Sequence, residues 1–272
     1  MITLTGRAEA HGVSGEGLLP ESFAAAAESE VARTRLRFGA ETAELGDLFH
    51  VRTAPGAGEP ELRIEPGGVR LHGLGTGMTR GRIVVAGNAG DRLGAAMVGG
   101  EILVEGSCGD CTGGEMTGGF IRVHGDAGAR AGGALAGGPR GMAGGVILVH
   151  GSVGDEAGAA MRRGLVAIGG SAAARAGFHA IAGTVLVLGG VGEAPAMATK
   201  RGSLVVFGEA RLLPTFRYAC EYEPTFLRLL LRYLSGPLAF AVPERFARGR
   251  FRRFAGDFSQ LGKGEILLWT DA

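Results

Sequence analysis

Residues 77–97 read GMTRGRIVVAGNAGDRLGAAM, and this order of residue types recurs down the chain to about residue 210. Aligned on the glycine that precedes the aliphatic residues, the copies lie 19 residues apart. One spacing is 26, because it contains a seven-residue insertion at 134–140 (ALAGGPR). The aligned glycines are Gly81, Gly100, Gly119, Gly145, Gly164, Gly183 and Gly202. Repetition at a constant short period is typical of solenoids, whose units stack on one another.

Two columns of the aligned repeat are aliphatic in every copy, two and four residues after the aligned glycine. The first is Ile83, Ile102, Ile121, Ile147, Val166, Val185 and Leu204, and the second is Val85, Val104, Val123, Val149, Ile168, Val187 and Val206. This alternation is that of a β-strand with one buried face. One strand per repeat cannot bury itself, but stacked strands about 4.8 Å apart share a core. We therefore predict a mainly β fold, a right-handed single-stranded β-helix of about seven coils, since propeller blades need roughly 40 residues.

A third column is glycine in every copy, six residues after the aligned glycine. It comprises Gly87, Gly106, Gly125, Gly151, Gly170, Gly189 and Gly208. Glycine at a recurrent turn indicates either a positive φ or a close approach of stacked backbones. The sequence leaves both explanations open.

The repeat divides the chain into three segments. Residues 61–213 carry it, residues 1–60 are predicted to be an N-terminal cap, and residues 214–272 a C-terminal α/β extension. Caps are expected because the ends of a solenoid expose unpaired strand edges. Residues 224–234 (PTFLRLLLRYL) predict an amphipathic helix with proline at its start.

The composition excludes several functional classes. The chain has 52 glycines in 272 residues without the spacing of collagen, and 46% hydrophobic residues exclude disorder. A formal net charge of +1 gives no indication of nucleic-acid or membrane binding. Three cysteines without a disulfide pattern, and no apolar leader, predict a cytoplasmic protein.

The outward face of the predicted strands is unexpectedly apolar. Its aliphatic and aromatic positions are Val84, Leu103, Leu148, Leu186, Leu188, Val205 and Phe207. Monomers rarely expose such a stripe, so we predict that it is an interface, covered by the C-terminal segment or by another subunit.

One outward column contains Glu105, His124 and His150, which adjacent coils could bring together as metal ligands or as an acid–base set. Solvated surface histidines are the competing explanation. The acidic turn residues Asp91, Asp110, Asp155 and Glu193 could hold a cation or could satisfy backbone amides, and the second is favoured. We therefore predict no metal site and no catalytic residues.

Two further groups are candidates for binding or redox chemistry. Cys108 and Cys111 form a CxxC that overlaps a repeat turn and has no second pair, so a structural role is favoured. Basic residues could meet an acidic partner or an anionic cofactor, or could simply be solvated. They are Arg140, Arg162, Arg163, Lys200 and Arg201.

Several motifs together resemble a known family. They are GMTRG at 77–81, the recurrent glycine turns, PRGM at 139–142, LLP at 212–214, GDF at 256–258 and GKG at 262–264. They resemble the C-type, glycine-repeat subunit of formylmethanofuran dehydrogenase and, more closely, its counterpart in the bacterial formyltransferase/hydrolase complex. The resemblance extends from about residue 60 to the end. The same repeat is also similar to the C-terminal domain of glutamate synthase large subunits.

The resemblance implies a non-catalytic scaffold whose partners are the A-type (hydrolase), B-type and D-type (formyltransferase) subunits. Such a complex transfers formyl from tetrahydromethanopterin to methylofuran and hydrolyses it to formate. The carriers would belong to the complex, with no cofactor bound by this chain, although the basic residues could meet a polyglutamyl carrier tail. Two alternatives remain: the C-type subunit of a tungsten or molybdenum formylmethanofuran dehydrogenase, and a stand-alone glutamate-synthase-type subunit.

Overall fold

The computed structural model describes residues 1–7, 9–24, 26–54 and 58–270, and it shows a mainly β protein, as predicted. The strands are β1 (Ile2–Gly6), β2 (Ala10–Ser14), β3 (Arg35–Phe38), β4 (Glu41–Glu44), β5 (Phe49–Thr53), β6 (Glu61–Glu65), β7 (Val69–His72), β8 (Arg82–Val85), β9 (Glu101–Val104), β10 (Phe120–Val123), β11 (Ala143–Val149), β12 (Arg163–Ile168), β13 (Thr184–Val187), β14 (Ser203–Val206), β15 (Arg217–Tyr222), β16 (Arg250–Gly256) and β17 (Gly264–Thr270). The helices are α1 (Glu28–Ala32), α2 (Leu45–Leu48) and α3 (Thr225–Ser235), with 3₁₀ turns at Pro20–Phe23 and Glu244–Ala247. Across these described ranges, no helix is long and apolar enough to cross a membrane.

The repeat strands form the middle of one open 13-stranded sheet, whose edges are β5 and β15. From β8 to β14 each strand lies parallel to the next, and every column of the repeat pairs with itself. Ile102, for example, lies opposite both Ile83 and Ile121. Ile121 in turn lies opposite Ile147, so the insertion loops out without shifting the register.

A second, narrower ladder runs along the turns. Single parallel bridges join Cys108, Ala127, Val153, Ala172 and Val191 in successive repeats. Each repeat therefore touches the next at two separate places, its strand and its turn. This double contact stacks the backbone of each repeat directly on that of its neighbour.

The inner core lies between the strands and the turns. We use this name for the two aliphatic columns together with Met78, Met97, Met116, Met142 and Met161, all of which are buried. Because each buried side chain packs on its counterpart in the adjacent repeat, the column must stay uniform in size and polarity. This explains why the sequence repeats so strictly at these positions.

Both ends of the chain continue the same sheet. β1 lies parallel to β6 and antiparallel to β5, while β17 lies parallel to β14 and antiparallel to β16. β2, β3, β4 and β7 form a separate four-stranded sheet. The helix predicted at residues 224–234 is confirmed as α3, with Pro224 just before it. The three predicted segments are thus joined by strand pairing.

The recurrent turn glycines are required for space more than for conformation. Gly87 has φ 154°, but the later members of its column do not have positive φ. A Cβ on Gly151 would lie 2.7 Å from the carbonyl oxygen of Gly125, and one on Gly189 would lie 2.6 Å from that of Gly170. Of the two explanations offered by the sequence, close approach of stacked backbones is therefore the correct one for this column.

Asp257, in the GDF motif, ties the C-terminal segment to the last repeat. Its carboxylate is 1% exposed and accepts hydrogen bonds from the backbone N–H of Ala198, at 2.9 Å, and of Ser259, at 2.8 Å. Burial would raise the pKa of Asp257, but these hydrogen bonds hold the pKa below its usual value. The ionised side chain therefore anchors the segment.

Candidate partner interface

The C-terminal segment covers most of the predicted apolar stripe. Leu148, Leu186, Leu188, Val205 and Phe207 are buried under residues of this segment. The covering residues are Leu227, Leu231, Leu234, Phe240, Phe246, Phe251 and Leu267. We call the two sets together the outer cluster. Of the two covers that the sequence left open for these five residues, the structure shows the C-terminal segment of the same chain.

The remaining two stripe residues, Val84 and Leu103, lie beyond this cover. Val84 is buried and Leu103 is half-buried, and neither belongs to the outer cluster. Arg122 follows them on the same face, and its Nη2 donates a hydrogen bond of 2.5 Å to the carbonyl oxygen of Leu238. Of Val84 and Leu103, Leu103 is the more exposed, so it stays a predicted contact with another subunit.

α3 carries a second apolar face that points away from the outer cluster. Phe226, Leu229 and Tyr233 are 46%, 62% and 48% exposed, respectively. Spacings of three and four residues place them on one side of the helix. Exposed apolar side chains grouped on one helix face are typical of protein–protein contacts. This α3 outer face is the candidate interface that the outward columns of the repeat did not reveal.

The sequence contained a signal for this face. The helix segment TFLRLLLRYL has apolar residues on two sides, at 227, 231 and 234 and at 226, 229 and 233. A helix that covers only its own protein needs one apolar stripe. Two stripes on one helix indicate two buried faces, one within the chain and one against a partner.

His124 and His150 come together as predicted, but Glu105 does not join them. The two imidazole rings stack with centroids 4.9 Å apart and an interplanar angle of 11°. Glu105 instead lies 3.8 Å from Nη2 of Arg63. Within the ranges that the structure describes, no three His, Cys, Asp or Glu side chains are grouped so that they could hold a metal ion.

The histidine pair lies at the edge of the cover. The ring of Phe240 packs on His150 at 5.0 Å, and Nε2 of His150 is buried without a hydrogen-bond partner. Burial lowers the pKa of His150 below 6.5, and the charges of His124 and Arg122 lower it further. The neutral ring is therefore the form that fits beneath the cover.

The CxxC cysteines have no features of a reactive pair. Cys108 is buried in the ladder of turn bridges, and its thiol accepts a hydrogen bond from the Thr112 hydroxyl at 3.0 Å. Burial raises the pKa of Cys108 to about 11 and also raises that of Cys111, so neither is poised as a thiolate. Both geometry and pKa favour the structural role that the sequence suggested.

The acidic turn residues cap the backbone of the following repeat. Asp91, Asp110 and Asp155 each accept a hydrogen bond from a backbone N–H one repeat further on, at 3.0, 2.7 and 3.0 Å. Their oxygens thus satisfy amides of the stacked turns. This is the second of the two roles that the sequence left open for these residues.

The basic candidates remain without acidic partners. Arg140, Arg162, Arg163, Lys200 and Arg201 take part in no ion pair within the described part of the chain. Arg162 and Lys200 belong to one column of the repeat, with Ile181 between them. Of the five candidates, only Lys200 lines a cavity together with residues of the insertion, where it is available to an anionic ligand or partner.

The comparisons with known proteins give an informative match among solved structures. No protein-family model matches the sequence, and no curated protein matches it either. Among solved structures, the chain is similar to a chain of the formyltransferase/hydrolase complex FhcABCD from Methylorubrum extorquens, determined in complex with methylofuran. The two chains are 33% identical with a TM-score of 0.88, and the match covers 98% of each.

Proposed function

The chain belongs to the same family as this component of the FhcABCD complex, and on that premise we propose that it is a non-catalytic structural subunit of a formyltransferase/hydrolase complex. The observation that carries the proposal is the match over 98% of both chains at 33% identity. A likeness of this extent includes the C-terminal segment as well as the repeat, so the feature that presents the α3 outer face belongs to the shared fold.

We further propose that the chain is the C-type, glycine-repeat subunit. The complex would transfer formyl from tetrahydromethanopterin to methylofuran and hydrolyse it to formate, with the active sites on the hydrolase and formyltransferase subunits. Methylofuran is present in the matched complex. The stacked columns, each pairing with itself, support a right-handed β-helix with end segments 1–60 and 214–272. In this proposal the stacked repeats, which we call the rod, supply a rigid surface on which the other subunits assemble.

The α3 outer face is the proposed docking surface for another subunit. Because Phe226, Leu229 and Tyr233 are about half exposed, covering each of them would contribute roughly half of the full burial energy, about 1 kcal/mol of hydrophobic free energy. The face stands on a helix whose other side is held by the outer cluster, so it is already ordered before a partner binds. Preorganisation of this kind reduces the entropic cost of association.

The experiment is affinity purification of the tagged full-length chain from its native cells. We expect three other chains to copurify in constant ratio, together with formyltransferase and formyl-hydrolase activities. Leu229→Glu should weaken retention of the partners by about tenfold or more, because it places a charge at the centre of the interface. Arg232→Glu, on an exposed position of the same helix, is the matched control and should retain them. Elution of the wild type as a 27.7 kDa monomer would refute the proposal.

A further inference from the structure

The seven-residue insertion, the one departure from the 19-residue spacing, builds a wall of a cavity. Within the insertion, the N–H of Gly138 donates to the carbonyl oxygen of Leu135 at 2.9 Å and closes a turn. The N–H of Leu135 donates to Oε1 of Glu115 at 3.2 Å, which ties the loop to the preceding repeat. The wall is therefore held in place by defined hydrogen bonds.

The cavity has a volume of about 390 Å³, and apolar side chains line it from both sides. Leu135 and Pro139 line it from the insertion, and Phe178 and Ile181 from later repeats. The Phe178 ring meets the His179 ring edge-on at 4.3 Å, so the aromatic wall is braced. Sites for small molecules are typically concave, mostly apolar and roughly 300–1,000 Å³ in volume.

One cation at the cavity has no counter-ion. Arg130 and Glu156 also line it, but they pair with each other at 3.2 Å, and Glu156 pairs with Arg175 as well. Lys200 lines the same cavity, is half-buried, and makes no ion pair or side-chain hydrogen bond with any described residue. An ammonium group next to apolar walls gains most from an anion that carries an apolar body.

We propose that this cavity binds a small organic anion, a carboxylate on a flat apolar body. The carboxylate would pair with Lys200, and the body would lie among Leu135, Pro139 and Phe178. The site is independent of the proposed assembly, since all its residues belong to this chain.

The test exploits the fact that the sequence has only two lysines, Lys200 and Lys263. Reductive methylation with ¹³C-formaldehyde labels both lysine amines together with the N-terminal amine, and it keeps the charge of each. Benzoate is then titrated against the full chain while the ¹³C-methyl signals of the two lysines, assigned with the Lys200→Met and Lys263→Met variants, are followed by NMR. We expect the Lys200 signal to shift saturably and the exposed Lys263 signal to stay in place. Neutral benzamide should bind about tenfold more weakly, because it lacks the charge-assisted contact.

Two variants measure the same binding on unlabelled protein, by saturation transfer to benzoate. Lys200→Met should abolish the effect, whereas Lys263→Met, the matched control, should leave it unchanged. Thermal unfolding followed by circular dichroism checks that both variants are folded. Equal binding by the two variants, or parallel unsaturable shifts of both lysine signals, would overturn the proposed site. Because the experiment uses the isolated chain, its failure would leave the proposed role in the complex untouched.

Discussion

The inner core and the outer cluster are both apolar and both fully buried, yet they are assembled in different ways. Each inner-core column is built from residues one repeat apart, which pair with their own counterparts. The outer cluster joins repeat residues such as Leu186 to α3 residues such as Leu231, far away in the sequence. The first therefore stabilises the stacked repeats one after another, and the second only attaches a cover to them.

The largest expected effect comes from removing an inner-core side chain. Ile121→Ala, at a fully buried position between two strands, should lower the free energy of unfolding by about 2–5 kcal/mol. The stacked column cannot collapse to fill the cavity without shifting both neighbouring repeats. Urea unfolding followed by circular dichroism measures the loss.

Leu231→Ala is the matched truncation in the outer cluster. It should loosen α3 while the repeat strands keep their protection against hydrogen exchange, since the cover opens as a local unit. If instead Leu231→Ala unprotects β9 to β11 as strongly as Ile121→Ala does, the distinction between rod and cover is wrong.

The second prediction concerns the turn glycines, which allow the backbones of adjacent repeats to stack closely. Gly151→Asn should destabilise the protein by about 1–3 kcal/mol, because the added Cβ meets the Asp126 side chain and the Gly125 backbone. Gly77→Asn is the control: Gly77 has φ 70°, which Asn adopts readily, and its Cβ position is open. Thermal melting should separate the two variants clearly. Equal melting temperatures would show that the close approach of stacked backbones does not explain the turn glycines.

The difference between the two regions also decides what could be predicted from sequence. In a column of Ile or Val at a constant spacing, each residue pairs with the members one repeat before and one repeat after it. The strands, their register and the inner core were therefore predictable from the sequence. The outer cluster gives no such pattern: Phe240 and Phe246 meet Leu188 and Phe207 only after the chain turns back. For this reason the sequence left open whether the C-terminal segment or another subunit covers the stripe. The outward stripe signalled burial correctly, but its partner lay in the same chain.

The cavity at residues 134–140 was missed for a related reason. A break in a period shows that a loop leaves the rod, but it does not show which later repeats the loop faces. Lys200 and Phe178 reach that loop only through the stacking of successive repeats. The basic residues, by contrast, were candidates from sequence alone, since four of them share two columns of the repeat, and their role in binding stays a prediction.

The smallest predicted effect tests the edge of the cover at His150. The folded-state pKa of this ring lies below its ordinary value of 6.5, mainly because of burial beneath Phe240. At pH values between the folded-state pKa and 6.5, the unfolded segment binds more protons than the folded one. The contribution of His150 to the stability of the cover is therefore complete above pH 6.5 and is lost as the pH falls through the folded-state pKa. Acidification should therefore open α3 before it affects the rod. His150→Phe should abolish this dependence, because a phenyl ring keeps the stacking and cannot be protonated.

Hydrogen exchange of α3 amides from about pH 7.5 to about pH 5.5, corrected for the intrinsic rate, measures the opening. The amides of β9 serve as the internal control, since this strand lies beyond the cover and carries inner-core side chains. His124 and Arg122 remain in the variant, so an unchanged slope would show that His150 is not the source of the pH response. If α3 and β9 lost protection together in the wild type, acid would be acting on the whole fold, and the cover would have no separate stability for His150 to control.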